Sequence, residues 1–220
     1  DDMSTVSEVL MPNPSRFRFV EFPIYNIFVY PFYYIFGVNE LYHRLVSVIF
    51  SLGSAVLLFF IVKRFFGVAT SLTATFVFSF LPYNVFFSRT TLPEPTFVFF
   101  SLGMVYFVDR WIWSANRQMG VWGFIFTSLA FLIKPWAIFF ALPLVYSVYQ
   151  KERKFRSIFK LKYLVFISAA ILPFLLWRLW ILQQPEGIPA SSWLFNSDGI
   201  RLRPAFWWWI VSERLGREIL

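Results

Sequence analysis

A chain of 220 residues that is 58% hydrophobic, only 15% charged and +0.62 in mean hydropathy is too apolar for an ordinary globular domain. Its apolar residues lie in runs that a core of this size could not bury, which excludes a water-soluble fold. The formal charge of +8 does not point to nucleic acid, because Lys and Arg flank the apolar runs as juxtamembrane anchors do.

Cysteine is absent, so disulfides and thiolate metal sites are excluded. The opening Asp1-Asp2, without an initiating Met or a signal-like segment, and the ending at Arg217–Leu220 read as the limits of a fragment. The expected organisation is one transmembrane domain over 1–220. It comprises an outer loop over 1–43, about six spans within 44–182, and an outer loop with an interfacial helix over 183–220.

In chain order, Pro23–Phe36 is rich in Phe and Tyr and suits a helix at headgroup level. The first span, Arg44–Val62, includes Leu45–Val62, an 18-residue run with no charge. That is enough to cross a hydrocarbon core of about 30 Å. Further spans are expected at Ala69–Phe87, Thr96–Trp111, Val121–Leu132, Ala137–Tyr149 and Leu164–Leu182. The fourth and fifth are short, and Lys134-Pro135-Trp136 between them predicts a tight turn or a broken helix. Phe206-Trp207-Trp208-Trp209, on an amphipathic helix to Leu220, reads as an outer-leaflet anchor.

Charge sets the expected sidedness. The connections holding Lys63-Arg64, Asp109-Arg110, Arg117 and Lys151–Lys162 are strongly basic, with only Asp109 and Glu152 against them. Lys and Arg near span ends favour the cytoplasm, where Lys151–Lys162 would meet anionic lipids. An even number of spans then puts both chain ends outside, so a further span is expected before Asp1. Asp1, Asp2, Glu8, Glu21, Glu40, Glu94, Glu186, Asp198, Glu213 and Glu218 all fall on the outer face. A transporter would place acids midway along its spans. Here chemistry is expected at the outer surface.

Glu21 and Pro23 lead into an aromatic segment, then Phe36-Gly37, then Arg44-Leu45-Val46-Ser47 opening a span and Arg64–Gly67 closing it. In this order the residues resemble the GT-C glycosyltransferases that use polyprenyl-phosphate sugars, in particular protein O-mannosyltransferases and aminoarabinose transferases. Three later segments are similar to elements of the same group. They are Phe87–Glu94, Phe131–Pro135, and Pro185–Phe195 with Gly199–Pro204. Phe22 stands where aminoarabinose transferases carry a phosphate-contacting Lys. The resemblance implies an all-α, polytopic helical bundle of GT-C type with outer-face juxtamembrane helices. It also implies transfer of a sugar from a polyprenyl-phosphate donor to an outer-face protein, lipid or glycan acceptor. Asp1-Asp2 can play the part of the family's acid pair; the alternative is a pair that lies ahead of Asp1.

That reaction attacks an anomeric carbon and expels a phosphate, inverting the centre. The acceptor hydroxyl needs a carboxylate base, and the departing phosphate needs positive partners. Candidate acids are Asp1, Asp2, Glu21 and Glu94. Candidate phosphate-binding cations are Arg44, Arg89, Lys134, Arg201 and Arg203. A divalent metal ion could share the neutralising role, with Glu21 as its ligand. The expected partners are the lipid-linked sugar donor, membrane lipids and the acceptor. The lone His43 cannot make a zinc site of the usual kind and is expected to be structural or interfacial. Two other classes fit the composition: a multi-pass transporter or lipid flippase, and a noncatalytic membrane scaffold. Convergence of Asp2, Glu21, Glu94 and Lys134 would separate the enzyme from the scaffold.

Overall fold

The computed structural model describes residues 21–183, 199, 202–209 and 211–212. Every regular element among them is helical. Contacts divide the chain into two compact units, Glu21–Arg178 and Asp1–Val20 with Leu179–Leu220.

In the larger unit, α1 (Ile24–Phe36) follows Pro23 and stops at Gly37, whose φ of 84° lets its N–H reach back to the Tyr33 carbonyl. Asn39 then caps α2 (Glu40–Phe80) by accepting from the Leu41 N–H at 2.9 Å. The helix α2 is two arms, 40–66 and 68–80, joined at Gly67 with φ 83°. Few side chains tolerate that backbone, which explains a glycine there. The second arm comes back alongside the first. Ser47 Oγ donates to the Thr90 carbonyl at 2.8 Å, and Ser51 Oγ donates to Asn84 Oδ1 at 3.3 Å. Leu81, ahead of Pro82, breaks the return, so the expected span Ala69–Phe87 is interrupted. The short α3 (Pro82–Phe87) follows the break.

Next come α4 (Glu94–Ser114) and α5 (Arg117–Ile133), the most extensively packed pair. Gly103 permits their approach: a Cβ there would lie 2.0 Å from the Phe126 ring. Small residues at helix contacts are the usual means of close packing in lipid. The expected span Ala137–Tyr149 is instead a 3₁₀ turn, Pro135–Ala141, running into α6 (Leu142–Glu152). A second 3₁₀ turn, Phe155–Phe159, leads to α7 (Leu161–Ile181).

Two helices, Glu40–Phe80 and Leu161–Ile181, are long and apolar enough to cross a membrane. Only 11% of the apolar window of α7 is buried, and Leu172, Leu175 and Leu176 face outward. Such a surface is at home in lipid and aggregates in water. The chain is an all-α membrane bundle. Its interior centres on Val29, Phe50, Phe100, Met104 and Ala130.

In the smaller unit, α8 (Pro204–Trp208) follows Arg203, and Trp207 and Trp208 are exposed. The remainder of the expected helix to Leu220 lies largely outside the described residues.

Asp109 departs from the sequence reading. Expected at the cytoplasmic end of the span Thr96–Trp111 and counted with the basic connections there, it lies inside α4 and is buried. Arg64 Nη1 sits 2.5 Å from its Oδ2, and Ser147 Oγ donates to its Oδ1 at 2.5 Å. Trp113 Nε1 donates in turn to Ser147 at 2.9 Å. Burial is tolerable because every strong group in the cluster has a partner.

Candidate active site

The Lys134-Pro135 junction creates the site. Pro135 disfavours helical backbone at the residue before it, and Lys134 is extended at φ −147°, ψ 133°. Its N–H closes α5 on the Ala130 carbonyl, and its side chain is released toward α4. Glu94 is the first residue of α4, between Pro93 and Pro95, where its charge also suits the helix N-terminus. Lys134 Nζ donates to Glu94 Oε1 at 2.6 Å. Glu21 Oε1 lies 3.5 Å from the same ammonium. Glu21 is held there by its neighbour: the Phe22 N–H donates to the Leu132 carbonyl at 3.3 Å, and the Phe22 ring stands edge-on to Trp177 at 4.9 Å.

One ammonium thus joins two carboxylates from distant parts of the sequence. All three side chains are 20–30% exposed, which is wet enough for a substrate to reach and dry enough to strengthen their interaction. Burial pushes the Glu21 carboxyl above the ordinary range; Lys134 opposes this and the Glu94 charge adds to it. Burial also works against the Lys134 ammonium, but its bond to Glu94 and the charge of Glu21 outweigh that and raise its pKa. Glu94 Oε2 has no hydrogen-bond partner among the described residues.

Arg178, in the last turn of α7, acts electrostatically on Glu21 and lies over the Phe174 ring at 5.2 Å. Its charge favours the ionised form of Glu21 as a lesser influence, and sequence reasoning missed it because an Arg ending an apolar helix reads as an interface anchor. A cavity of about 320 Å³ adjoins the ion pair, lined by Glu94, Lys134, Ser51, Asn84, Tyr83 and Trp136 among others.

The other expected site residues are placed differently. Arg44 pairs with Glu40 at 2.7 Å on the surface of α2, one helical turn away. Arg89 is exposed, with no ion pair among the described residues. Arg203 precedes α8 in the smaller unit. Asp1, Asp2 and Arg201 lie outside the described residues. His43 accepts or donates at Nδ1 with Tyr33 Oη at 2.6 Å, and the Tyr25 hydroxyl donates to its carbonyl at 2.8 Å. These bonds lock α1 onto α2. No group of three His, Cys, Asp or Glu among the described residues suits a metal. Glu21 and Glu94 already share a cation, so this pair is a poor metal centre and no catalytic step is assigned to one.

A family model described as dolichyl-phosphate-mannose-protein mannosyltransferase matches residues 21–177. The matched span contains Glu21, Glu94 and Lys134. No curated protein and no solved structure matches the chain.

Proposed function

The chain belongs to the dolichyl-phosphate-mannose-protein mannosyltransferase family, and from that membership we propose that it transfers a sugar from a polyprenyl-phosphate donor to an acceptor hydroxyl at the outer membrane face, inverting the anomeric centre. The observation that carries this reading is the convergence of Glu21 and Glu94 on Lys134 beside a cavity. A scaffold has no need of charged groups gathered at a wet pocket, and their separation along the chain makes a chance pairing a poor explanation.

The proposed chemistry uses each group. The acceptor oxygen attacks the anomeric carbon while the bond from that carbon to the phosphate oxygen breaks, its electron pair leaving with the phosphate. The hydroxyl proton passes to a carboxylate. Glu21 suits that task best, because its raised pKa makes it the stronger base and its contact with Lys134 is the longer one. Lys134 and Arg178 face the charge that grows on the departing phosphate. Glu94 holds the Lys134 ammonium in place.

Charge supports the outer-face reading: the basic segment beginning at Lys151 contacts the opposite end of α4 from Glu94. Lys151 Nζ bonds to the Ile112 carbonyl near the far end of α4. The test is transfer from radiolabelled polyprenyl-phosphate sugars to an envelope extract by the protein in liposomes. Wild type should transfer label, and Glu21→Gln and Glu94→Gln should lose it by roughly 10²-fold or more at matched folding. Transfer untouched in both variants would refute the site. No transfer from any donor would refute the activity.

A further inference from the structure

The cavity beside Lys134 has a second polar wall that the proposed chemistry does not use. Ser51, on the first arm of α2, and Asn84, on α3, both line it. Ser51 Oγ donates to Asn84 Oδ1 at 3.3 Å, a long bond. The Asn84 amide nitrogen, which can donate twice, has no acceptor among the described residues. Ser54, one turn below, is different: its hydroxyl is satisfied by the Phe50 carbonyl at 2.8 Å. Hydrogen-bonding capacity not used by the protein therefore remains at Ser51 and Asn84, in the same cavity that the Glu94–Lys134 pair lines. Most of the remaining lining is apolar or aromatic, including Phe78, Phe87 and Trp136.

We infer that Ser51 and Asn84 form a sugar-hydroxyl subsite, which binds the glycosyl ring of the donor and sets which sugar is accepted. This rests on the glycosyl-transfer reading of the same cavity. The volume, about 320 Å³, lies at the lower end of the roughly 300–1,000 Å³ typical of small-ligand pockets. It suits a single ring with its phosphate and leaves no room for a long isoprenoid tail. A mostly apolar cavity with a few directed polar groups is what a ring with apolar faces and polar edges requires. The break at Leu81 has a purpose on this view. It turns the chain into α3 and presents Asn84 to the cavity, where an unbroken helix would present another face.

The bland competitor is that Ser51 and Asn84 only fasten α3 to α2, as polar side chains do between membrane helices. Fastening would affect all donors alike, whereas a subsite changes discrimination among them. The experiment compares kcat/KM for an intact polyprenyl-phosphate sugar and for monodeoxy donors lacking one hydroxyl each. Wild type should disfavour at least one deoxy donor roughly tenfold, the value of one neutral hydrogen bond at its upper range. Asn84→Ala should lose a similar factor on the intact donor and treat that deoxy donor as its equal. Ser51→Ala removes a single oxygen and makes the same comparison should Asn84→Ala fail to fold. Transfer by wild type with its full discrimination kept in both variants would overturn the subsite and leave the activity standing. No transfer by wild type would overturn both.

Discussion

Lys134 holds together two carboxylates that would otherwise repel each other across a partly dry gap. Glu21 is the sensitive member. A general base must be ionised, and burial raises the Glu21 pKa, so transfer should fall as pH drops through a value above the ordinary glutamate range. Stability runs the other way. A carboxyl whose folded pKa is raised adds stability below its unfolded value and loses it as pH rises through the folded one. Acid loss of transfer at Glu21 is therefore not unfolding caused by Glu21. Rate against pH should show this acid limb in wild type, with Glu21→Gln slower by roughly 10²–10⁴ and the limb gone. A limb that persists in Glu21→Gln would assign the base elsewhere. Glu94 and Lys134 were legible as candidates because each sits beside a proline that fixes its backbone at a helix boundary, and Glu21 because it stands two residues ahead of Pro23 and the aromatic helix. Arg44 is engaged elsewhere for a local reason. Glu40 lies one turn before it and takes its charge, a pairing that sequence spacing predicts and that a motif comparison ignores.

At the scale of elements, the apolar runs told where helices would be but not where they would break. Gly67 joins two arms with a single residue at positive φ, a turn that hydropathy does not register. Proline was the better guide: Pro82, Pro93 and Pro135 each stand at or beside a helix start. Asp109 was illegible for another reason. A charged residue beside Arg110 reads as the end of a span, and its actual partners, Arg64 and Ser147, lie far off in sequence. This cluster binds α2, α4 and α6. Its removal should show the asymmetry of buried ion pairs, where one orphaned charge costs more than the loss of both. Asp109→Leu should destabilise the detergent-solubilised protein by about 3 kcal/mol or more by leaving Arg64 unpaired. Arg64→Met with Asp109→Leu should recover much of that. Thermal melts of the two variants and wild type check it. A double variant less stable than the single one would mean that the cluster contributes net stability through its full hydrogen-bond network.

At the scale of the molecule, α4 separates two charged ends. Glu94 opens the helix beside Lys134, and Asp109, Arg110 and the Lys151 contact lie toward its other end. Its 21 residues span about 31 Å, which matches a hydrocarbon core. The site and the basic segment should therefore face opposite sides of the membrane, and the excess of Lys and Arg at the second end should assign it to the cytoplasm. The absence of cysteine from these 220 residues makes this directly testable, because an introduced thiol is the only one among them to label. Thr91→Cys places it in the exposed turn just before Glu94, and Arg156→Cys places it in the exposed basic segment. A membrane-impermeant maleimide applied to intact cells should label Thr91→Cys and spare Arg156→Cys until the membrane is opened. The reverse pattern would turn the protein over, and the donor and acceptor would then have to be sought in the cytoplasm. Labelling of both from one side would mean that α4 does not cross, and the site would lose the lipid-facing geometry that a polyprenyl donor requires.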